Sequence, residues 1–358
     1  MAITSTGAVS FSDLRTEFVG GNAAISLGDL YRGGSNILKK AGDNTATNDA
    51  ASVPTSGAID MEDFYSTSKG FTKTYSSGAT NQNASTVFGD DYDVNYPKNI
   101  IINAGVELGA TSVSEEALEV PSGAAGTITI TNNGTLSGYG GAGGTSAAGS
   151  AGGDAFEAAA ACTVINNGTM RSGGGGGGKG GAGGGGSVES ITWYGYGGNT
   201  HWSRLKPAYG NTSSFYFHGP PYVVATGLGQ NATSYGIYRR YPNYIFNNPV
   251  SNRYYVGVAS NSSTSGGAGG NGGLGQGYNQ SAVSGSSGAA GGTSAGTGGT
   301  GGTGGSFGKA GSTGSTGANG NASNGSSGGS GGAAGAYIRG LSNVTLTNNG
   351  TVQGNTVS

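Results

Sequence analysis

The sequence is poor in cysteine, histidine and charge, and each shortage excludes a class of protein. Cys162 is the single cysteine among 358 residues, so neither a disulfide framework nor a cysteine metal cluster is expected. Charged residues make up 9% of the chain and the formal net charge is -2, which gives no support for nucleic-acid binding. No run reaches the about 18 apolar residues that a membrane-spanning helix needs, so no membrane span is expected.

Patterns that carry catalysis are also missing. His201 and His218 have no carboxylate near them in sequence, and Lys179, which follows Gly178, lacks the Ser or Thr that comes next in a phosphate-binding loop. Carboxylates become sparse after Glu119. We therefore expect that the protein is not an enzyme and has no catalytic residue, cofactor site or metal site.

Glycine replaces the usual hydrophobic content. Hydrophobic residues make up 34% of the chain, below the about 45–50% of ordinary domains, whereas 79 residues are glycine. Glycine occupies every third position of residues 296–320, which fits a helix of the polyproline II type with one bare edge. Collagen also needs proline, and none follows Pro249. The period predicts a sandwich of polyglycine II helices, with doubled glycines on inner helices and single ones on outer helices.

Short β repeats punctuate the glycine runs. Residues 99–103 and 127–131 are rich in β-branched residues, which favours strands. A strand, an Asn-Asn-Gly turn and a second strand recur at residues 129–136, 163–170 and 345–352, where Asn-Gly supplies the positive φ of the turn. The predicted fold class is mostly irregular and β, a polyglycine II helix sandwich with short strand-turn repeats and a small N-terminal anchoring module.

The N-terminal residues carry another repeat. Segments 7–14, 24–31 and 57–65 share an apolar residue, Ser or Asp, an apolar residue, a variable residue, Asp and an apolar residue, and the Ser or Asp could cap a helical turn. The repeat fits either a tiny self-contained domain or an anchoring module. The expected domains are an N-terminal anchoring module at 1–69, a linker at 70–97, a β-repeat and glycine-rich scaffold at 98–186, an aromatic insert for recognition at 187–263, and a polyglycine II scaffold with the final β repeat at 264–358.

The aromatic insert is the predicted recognition surface. It holds both tryptophans and 11 of the 19 tyrosines. Tyr, Trp and Arg are enriched at binding hot spots, although these rings could instead form the insert's own small core. The predicted receptor-binding residues are Trp193, Tyr194, Tyr196, Trp202, Tyr216, Tyr222, Tyr238, Arg239, Tyr241, Tyr244 and Tyr254.

Three stretches resemble phage proteins. Residues 7–18 look like the start of virion structural proteins from marine T4-like phages, and residues 102–112 and 120–123, with the Asn-Asn-Gly-Thr repeats, look like fibre segments that precede a glycine-rich tip. The chain thus resembles the glycine-rich tail-fibre adhesins of tailed phages. The resemblance implies a distal receptor-binding tip in which polyglycine II layers display variable loops.

The resemblance also implies partners and a location. The expected partners are other virion proteins, through the N-terminal module, and a bacterial surface receptor that is a glycan or an outer-membrane protein; a homotrimer is possible. The N-terminus lacks a signal-peptide pattern, which fits a virion part made in the host cytoplasm. Two alternatives stay open: a structural fibre or capsid decoration protein without a receptor, and an ice-binding polyglycine II protein, because Thr297, Thr300 and Thr303 recur with the glycine period.

Overall fold

The computed structural model describes residues 3–20, 23–38, 46–196, 215–216, 223–225, 236–240, 243–248 and 253–358. The main feature of these residues is a set of three parallel β-sheets built by successive turns of the chain. From residue 71 onwards, each turn adds one short strand to the first sheet, one to the second and one to the third. We call this three-sided unit the β-solenoid.

The first sheet alternates buried and partly exposed positions, because one face of each strand points into the solenoid. Ile100, Ile130 and Val164 are register partners on this buried face, and all three are fully buried. The strands in spatial order are β1 (Thr47–Asn48), β2 (Phe71–Tyr75), β5 (Lys98–Ile102), β8 (Ile128–Asn132), β11 (Cys162–Asn166) and β20 (Val344–Asn348), with β1 antiparallel to β2 and the others parallel.

The second and third sheets complete the solenoid with shorter strands. The second contains β3 (Ala79–Thr80), β6 (Glu107–Gly109), β9 (Thr135–Ser137), β12 (Thr169–Arg171) and β21 (Thr351–Gln353). The third contains β4 (Gln82–Asn83), β7 (Leu118–Val120), β10 (Phe156–Ala158), β19 (Ala336–Arg339) and β22 (Asn355–Val357). Residues 70–97, expected as a linker, thus supply one strand to each sheet.

The solenoid core is mainly apolar, with buried polar side chains at a few positions. Leu108, Leu118 and Phe156 are fully buried in it. At one end, the buried Lys98 donates from Nζ to the carbonyl oxygens of Val94, Tyr96 and Ala125 at 2.6, 3.2 and 2.7 Å.

The Asn-Asn-Gly repeats add a buried asparagine ladder to this core. Asn132 Nδ2 donates to Asn166 Oδ1 at 2.8 Å, and Asn166 Nδ2 donates to Asn348 Oδ1 at 2.7 Å. Because each amide is both a donor and an acceptor, the ladder satisfies the buried asparagines and fixes the register of three successive turns.

The expected polyglycine II helix sandwich is wrong. The regular elements of the described chain are strands in several parallel sheets, together with two short α-helices, α1 (Phe11–Leu14) and α2 (Ala84–Phe88). The mostly-β part of the expectation agrees. Alternating β-branched and apolar residues have side chains to bury against a neighbouring sheet, so they form the regular elements. The glycine-rich residues have none, and they run as extended chain inserted into the solenoid between β9 and β10 and between β12 and β19.

The N-terminal residues form a unit with its own apolar core. Leu14, Phe18, Leu30, Val53 and Phe64 are fully buried in it. Besides α1, it contains a π-helical turn (Arg15–Val19) and 3-10 turns (Leu27–Leu30 and Glu62–Phe64); further 3-10 turns (Gly89–Asp91 and Leu341–Asn343) lie in the solenoid.

The aromatic insert contributes antiparallel strands. A four-stranded sheet has the order β13 (Gly186–Tyr196), β18 (Arg253–Thr264), β17 (Asn243–Asn248) and β16 (Gly236–Arg240). A two-stranded pair joins β14 (Phe215–Tyr216) and β15 (Val223–Ala225). No helix within the described parts of the chain is long and apolar enough to cross a membrane.

Candidate functional site

The candidate site is the end of the glycine-rich residues that lies opposite the β-solenoid. We call residues 138–153, 173–185 and 265–335 the glycine-rich body, and residues 173–185 its central segment. Within the described part of the chain, six extended segments contact the central segment through backbone hydrogen bonds. They are residues 138–145, 148–153, 265–277, 295–305, 310–320 and 325–335.

These hydrogen bonds recur at every third residue. Gly174, Gly177, Gly180 and Gly183 each donate an N–H to a carbonyl of segment 265–277, at 2.8 Å. On another side, Gly178, Gly181 and Gly184 donate to segment 310–320 at 2.8–2.9 Å, and Gly175 donates to the adjoining Lys309 carbonyl at 3.0 Å. Since buried backbone polar groups must be paired, this pattern holds the central segment in a rigid platform that has little side-chain packing.

The insert is fixed to the outer end of this platform by polar side chains of one turn. Asn321 Oδ1 accepts from the Ser187 N–H at 2.7 Å, and Asn321 Nδ2 donates to the Ser187 carbonyl at 2.9 Å. Ser323 Oγ accepts from the Gly185 N–H at 2.8 Å. These bonds hold the first residues of β13, whose partner across the ribbon is β18.

The sheet of the insert brings several predicted site residues into neighbouring rows. Trp193 is opposite Gly257, which is opposite Tyr244, and Tyr244 is opposite Arg239. Register partners lie side by side on neighbouring strands. Trp193, Tyr244 and Arg239 therefore lie in one row, although the sequence separates them widely.

Other predicted residues fall in adjacent rows or elsewhere. Tyr194 and Tyr238 share the next row, through Val256 and Ile245, and Tyr196 is directly opposite Tyr254. Tyr216 lies in β14, apart from this sheet. Trp202, Tyr222 and Tyr241 lie outside the described residues.

Sequence analysis missed the residues that hold the insert. Asn321 and Ser323 lie where the three-residue glycine period breaks, between Gly320 and Gly325. That break is a local signal that could have marked a turn, but nothing in the sequence links it to Ser187, because the two are far apart along the chain.

A separate polar cluster lies on the third sheet of the solenoid. Glu119, Glu157 and Arg339 are register partners across adjacent strands, and Arg339 forms an ion pair with Asp154. Burial, followed by the charge and hydrogen bond of Glu157, raises the pKa of Glu116 to about 7. In the described part of the chain, no group of three or more His, Cys, Asp or Glu residues could hold a metal ion.

Comparison with known proteins identifies the type of protein. Residues 70–240 match the family model described as phage tail fibre adhesin Gp38. By this match residues 70–240 form a phage tail fibre adhesin domain, which supports the interpretation of the chain as a phage tail fibre adhesin. The match begins just before β2 and ends at the last residue of β16, so it covers the early solenoid, the central segment and most of the insert. A tail fibre adhesin is a structural component of the virion tail rather than a member of an enzyme family.

One solved structure resembles this adhesin weakly. It is the crystal structure of the gp37-gp38 adhesin tip complex of the bacteriophage S16 long tail fiber, with 17% identity over 84% of this chain and 88% of that chain, and a TM-score of 0.36. No curated protein matches the adhesin.

Proposed function

We propose that this adhesin binds a receptor on the bacterial surface through the aromatic insert, residues 187–263. The observation that carries the proposal is the placement of the insert. Its sheet starts at the end of the glycine-rich body opposite the solenoid, and Asn321 holds its first strand there through two hydrogen bonds. A sheet with Trp193, Tyr244 and Arg239 in one row combines the residue types that dominate binding hot spots.

Gly186 and Thr264 are paired where the insert begins and ends, so the insert can be deleted while its two ends stay side by side. Ser187 and Val188 are opposite Ser263 and Ser262, so an Asn-Gly turn can join Val188 to Ser262 and close a short hairpin. We expect purified wild-type protein to bind host cells and the deletion variant to lose that binding. Binding unchanged by the deletion contradicts the assignment of the insert, and the absence of binding to any host by the wild type favours a purely structural role.

A row variant tests the site more finely. The triple substitution Trp193→Ala, Arg239→Ala and Tyr244→Ala removes one row, and we expect it to weaken cell binding. The double substitution Ser190→Ala and Ser260→Ala changes a row nearer the base of the same ribbon and serves as the control. Equal binding by the two variants would contradict a role for the aromatic row.

Residues 1–69 are proposed to attach the adhesin to another virion protein. The first two of its three repeats each have a reciprocal cap, formed by Ser10 with Asp13 and by Ser26 with Asp29. In the third repeat, the Asp60 N–H donates to the Asp63 carboxylate. Two tyrosine hydroxyls link these turns to one another by hydrogen bonds. Tyr31, after the second turn, donates to the Gly57 carbonyl before the third; Tyr65, after the third, donates to the Gly7 carbonyl before the first, at 2.6 Å.

Three similar turns around one core suit a partner with three-fold symmetry, because each turn can meet one subunit. Phe11, on the first turn, is 45% exposed and is available for that contact. We expect Phe11→Ser to impair addition of the purified adhesin to particles that lack it, scored by infectivity. Val113→Ser, at an equally exposed valine outside the module, is the control. Normal addition of the Phe11 variant argues against this contact.

A further inference from the structure

A groove lies on the outer half of the central segment, where two of its six neighbours stop early. The chain turns back at residues 145–147, so segments 138–145 and 148–153 do not continue past Lys179. The groove has a volume of about 450 Å³. Its floor is residues 179–182, its sides are residues 268–269 and 326–329, and its end wall is Ser146 and Ala147. We call it the slot.

The floor of the slot continues a series of backbone acceptors. The carbonyl oxygens of Gly174 and Gly177 accept from the N–H groups of Gly141 and Gly144, both at 2.8 Å. The next carbonyls in the series, at three-residue spacing, are those of Gly180 and Gly183. Neither accepts a hydrogen bond from the described residues.

One side of the slot continues a matching series of donors. The N–H groups of Gly275 and Gly272 donate to the Gly141 and Gly144 carbonyls, both at 2.9 Å. The next N–H group in this series, that of Gly269, donates no hydrogen bond to the described residues. The slot thus offers acceptors and a donor in the arrangement that already binds segment 138–145.

We propose that the slot binds an extended peptide that continues the path of segment 138–145, with glycine at every third residue. Such a peptide would donate to Gly180 and Gly183 and accept from Gly269. The glycine requirement follows from Gly140 and Gly143, because a Cβ on either would come within 3.0 Å of the Gly275 or Gly272 carbonyl. The corresponding peptide residues meet the same edge of segment 265–277.

The charge of the slot selects among such peptides. Lys179 lies at its inner end, and its ammonium group forms no hydrogen bond or ion pair with the described residues. A peptide with an acidic side chain at this end gains a charge-assisted hydrogen bond. The ligand class is therefore an acidic, glycine-rich extended peptide, and its binding does not depend on the aromatic insert.

The probe is the acetylated, fluorescently labelled peptide Asp-Tyr-Gly-Gly-Ala-Gly-Gly-Thr, which copies residues 138–145 with Asp at the first position. We expect saturable binding to the full-length adhesin by fluorescence anisotropy. Valine at the two glycines that correspond to Gly140 and Gly143 should abolish it. No saturable binding overturns the proposal, as does competition by maltohexaose, which would indicate a glycan site.

Substitutions in the adhesin locate the binding. Ala182 lies on the slot floor and is exposed, so Ala182→Tyr should fill the slot and weaken binding by about tenfold or more, while Ala290→Tyr, at an exposed alanine of an outer segment, should not. Lys179→Gln should weaken binding of the Asp peptide but not of a peptide with Asn instead. Unchanged thermal midpoints confirm that the variants fold. Full affinity in both slot variants would overturn the site.

Discussion

Gly178→Ala is the sharpest test of the glycine-rich body. Gly178 lies in the middle of the central segment, where its N–H donates to the Ser312 carbonyl at 2.9 Å and its carbonyl accepts from the Gly302 N–H at 2.7 Å. A Cβ at this position would come within 3.0 Å of the Gly329 carbonyl, a distance that real side chains essentially never show. The obstacle is backbone, which cannot rotate away as a side chain can.

The cost can be worked from these contacts. Forcing one methyl group into a packed interior costs about 1–3 kcal/mol. Moving the segment away from Gly329 also lengthens the bond from the Gly329 N–H to the Lys179 carbonyl, 2.7 Å in the wild type, and one lost hydrogen bond costs about 1 kcal/mol. Alanine restricts the unfolded chain, which returns about 0.4–1 kcal/mol. We therefore expect a net loss of about 1–3.5 kcal/mol.

Gly185→Ala is the matched control at the end of the same segment. A Cβ there would lie 3.4 Å from Ser323 Oγ and 3.6 Å from the Thr264 carbonyl, which are ordinary contacts. We expect its thermal midpoint by calorimetry to stay close to that of the wild type, and the Gly178 variant to melt several degrees lower. If both variants melt together, packing around the central segment does not limit stability, and the reasoning fails.

Three further predictions concern the solenoid. The pKa of Glu116 is raised from its ordinary 4.5 to about 7, so the folded protein binds this proton more tightly than the unfolded chain does. The stability of the fold should therefore decrease as the pH rises from about 4.5 to about 7. Glu116→Gln should flatten that part of a plot of thermal midpoint against pH. A profile unchanged by the substitution refutes this cause. Asn166→Ala interrupts the buried ladder and should lower the free energy of unfolding in denaturant by about 2–4 kcal/mol. The control Asn167→Ala, in the exposed ladder beside it, should lower it by less than about 1 kcal/mol. Similar losses in the two variants would contradict the role of burial. Lys98→Met removes the ammonium donor from the Tyr96 and Ala125 carbonyls, whereas the Val94 carbonyl keeps its bond from the Tyr96 N–H. The substitution should destabilise the solenoid by about 1–3 kcal/mol, and wild-type stability would show that water replaces the ammonium.

The strands with strong local signals were predictable. Residues 99–103 and 127–131 were expected as strands, and β5 (Lys98–Ile102) and β8 (Ile128–Asn132) lie within one residue of those bounds. Strands of the third sheet had no such signal. Those such as β4 and β10 are two or three residues long, too short to show a period, and they exist because a neighbouring turn supplies their hydrogen bonds.

The polyglycine II expectation failed because a three-residue glycine period reports only where side chains are absent. It does not decide which groups take the backbone hydrogen bonds. Around Gly178 those bonds go to segments far away in sequence, and the regular elements form elsewhere, where residues such as Ile100 and Ile130 have side chains to bury.

The sequence by itself determined the local preferences of this adhesin: the Asn-Asn-Gly turns, the strands beside them, the bare positions of the glycine runs and the aromatic content of the insert. Only the tertiary structure decided that residues 70–97 belong to the solenoid, that residues 173–185 are surrounded by six segments, and that Asn321 holds the start of the insert. The reason is that a local pattern depends on neighbours along the chain. The pairing of strands, the contacts of the glycines and the place where the insert is held depend instead on residues that only folding brings together.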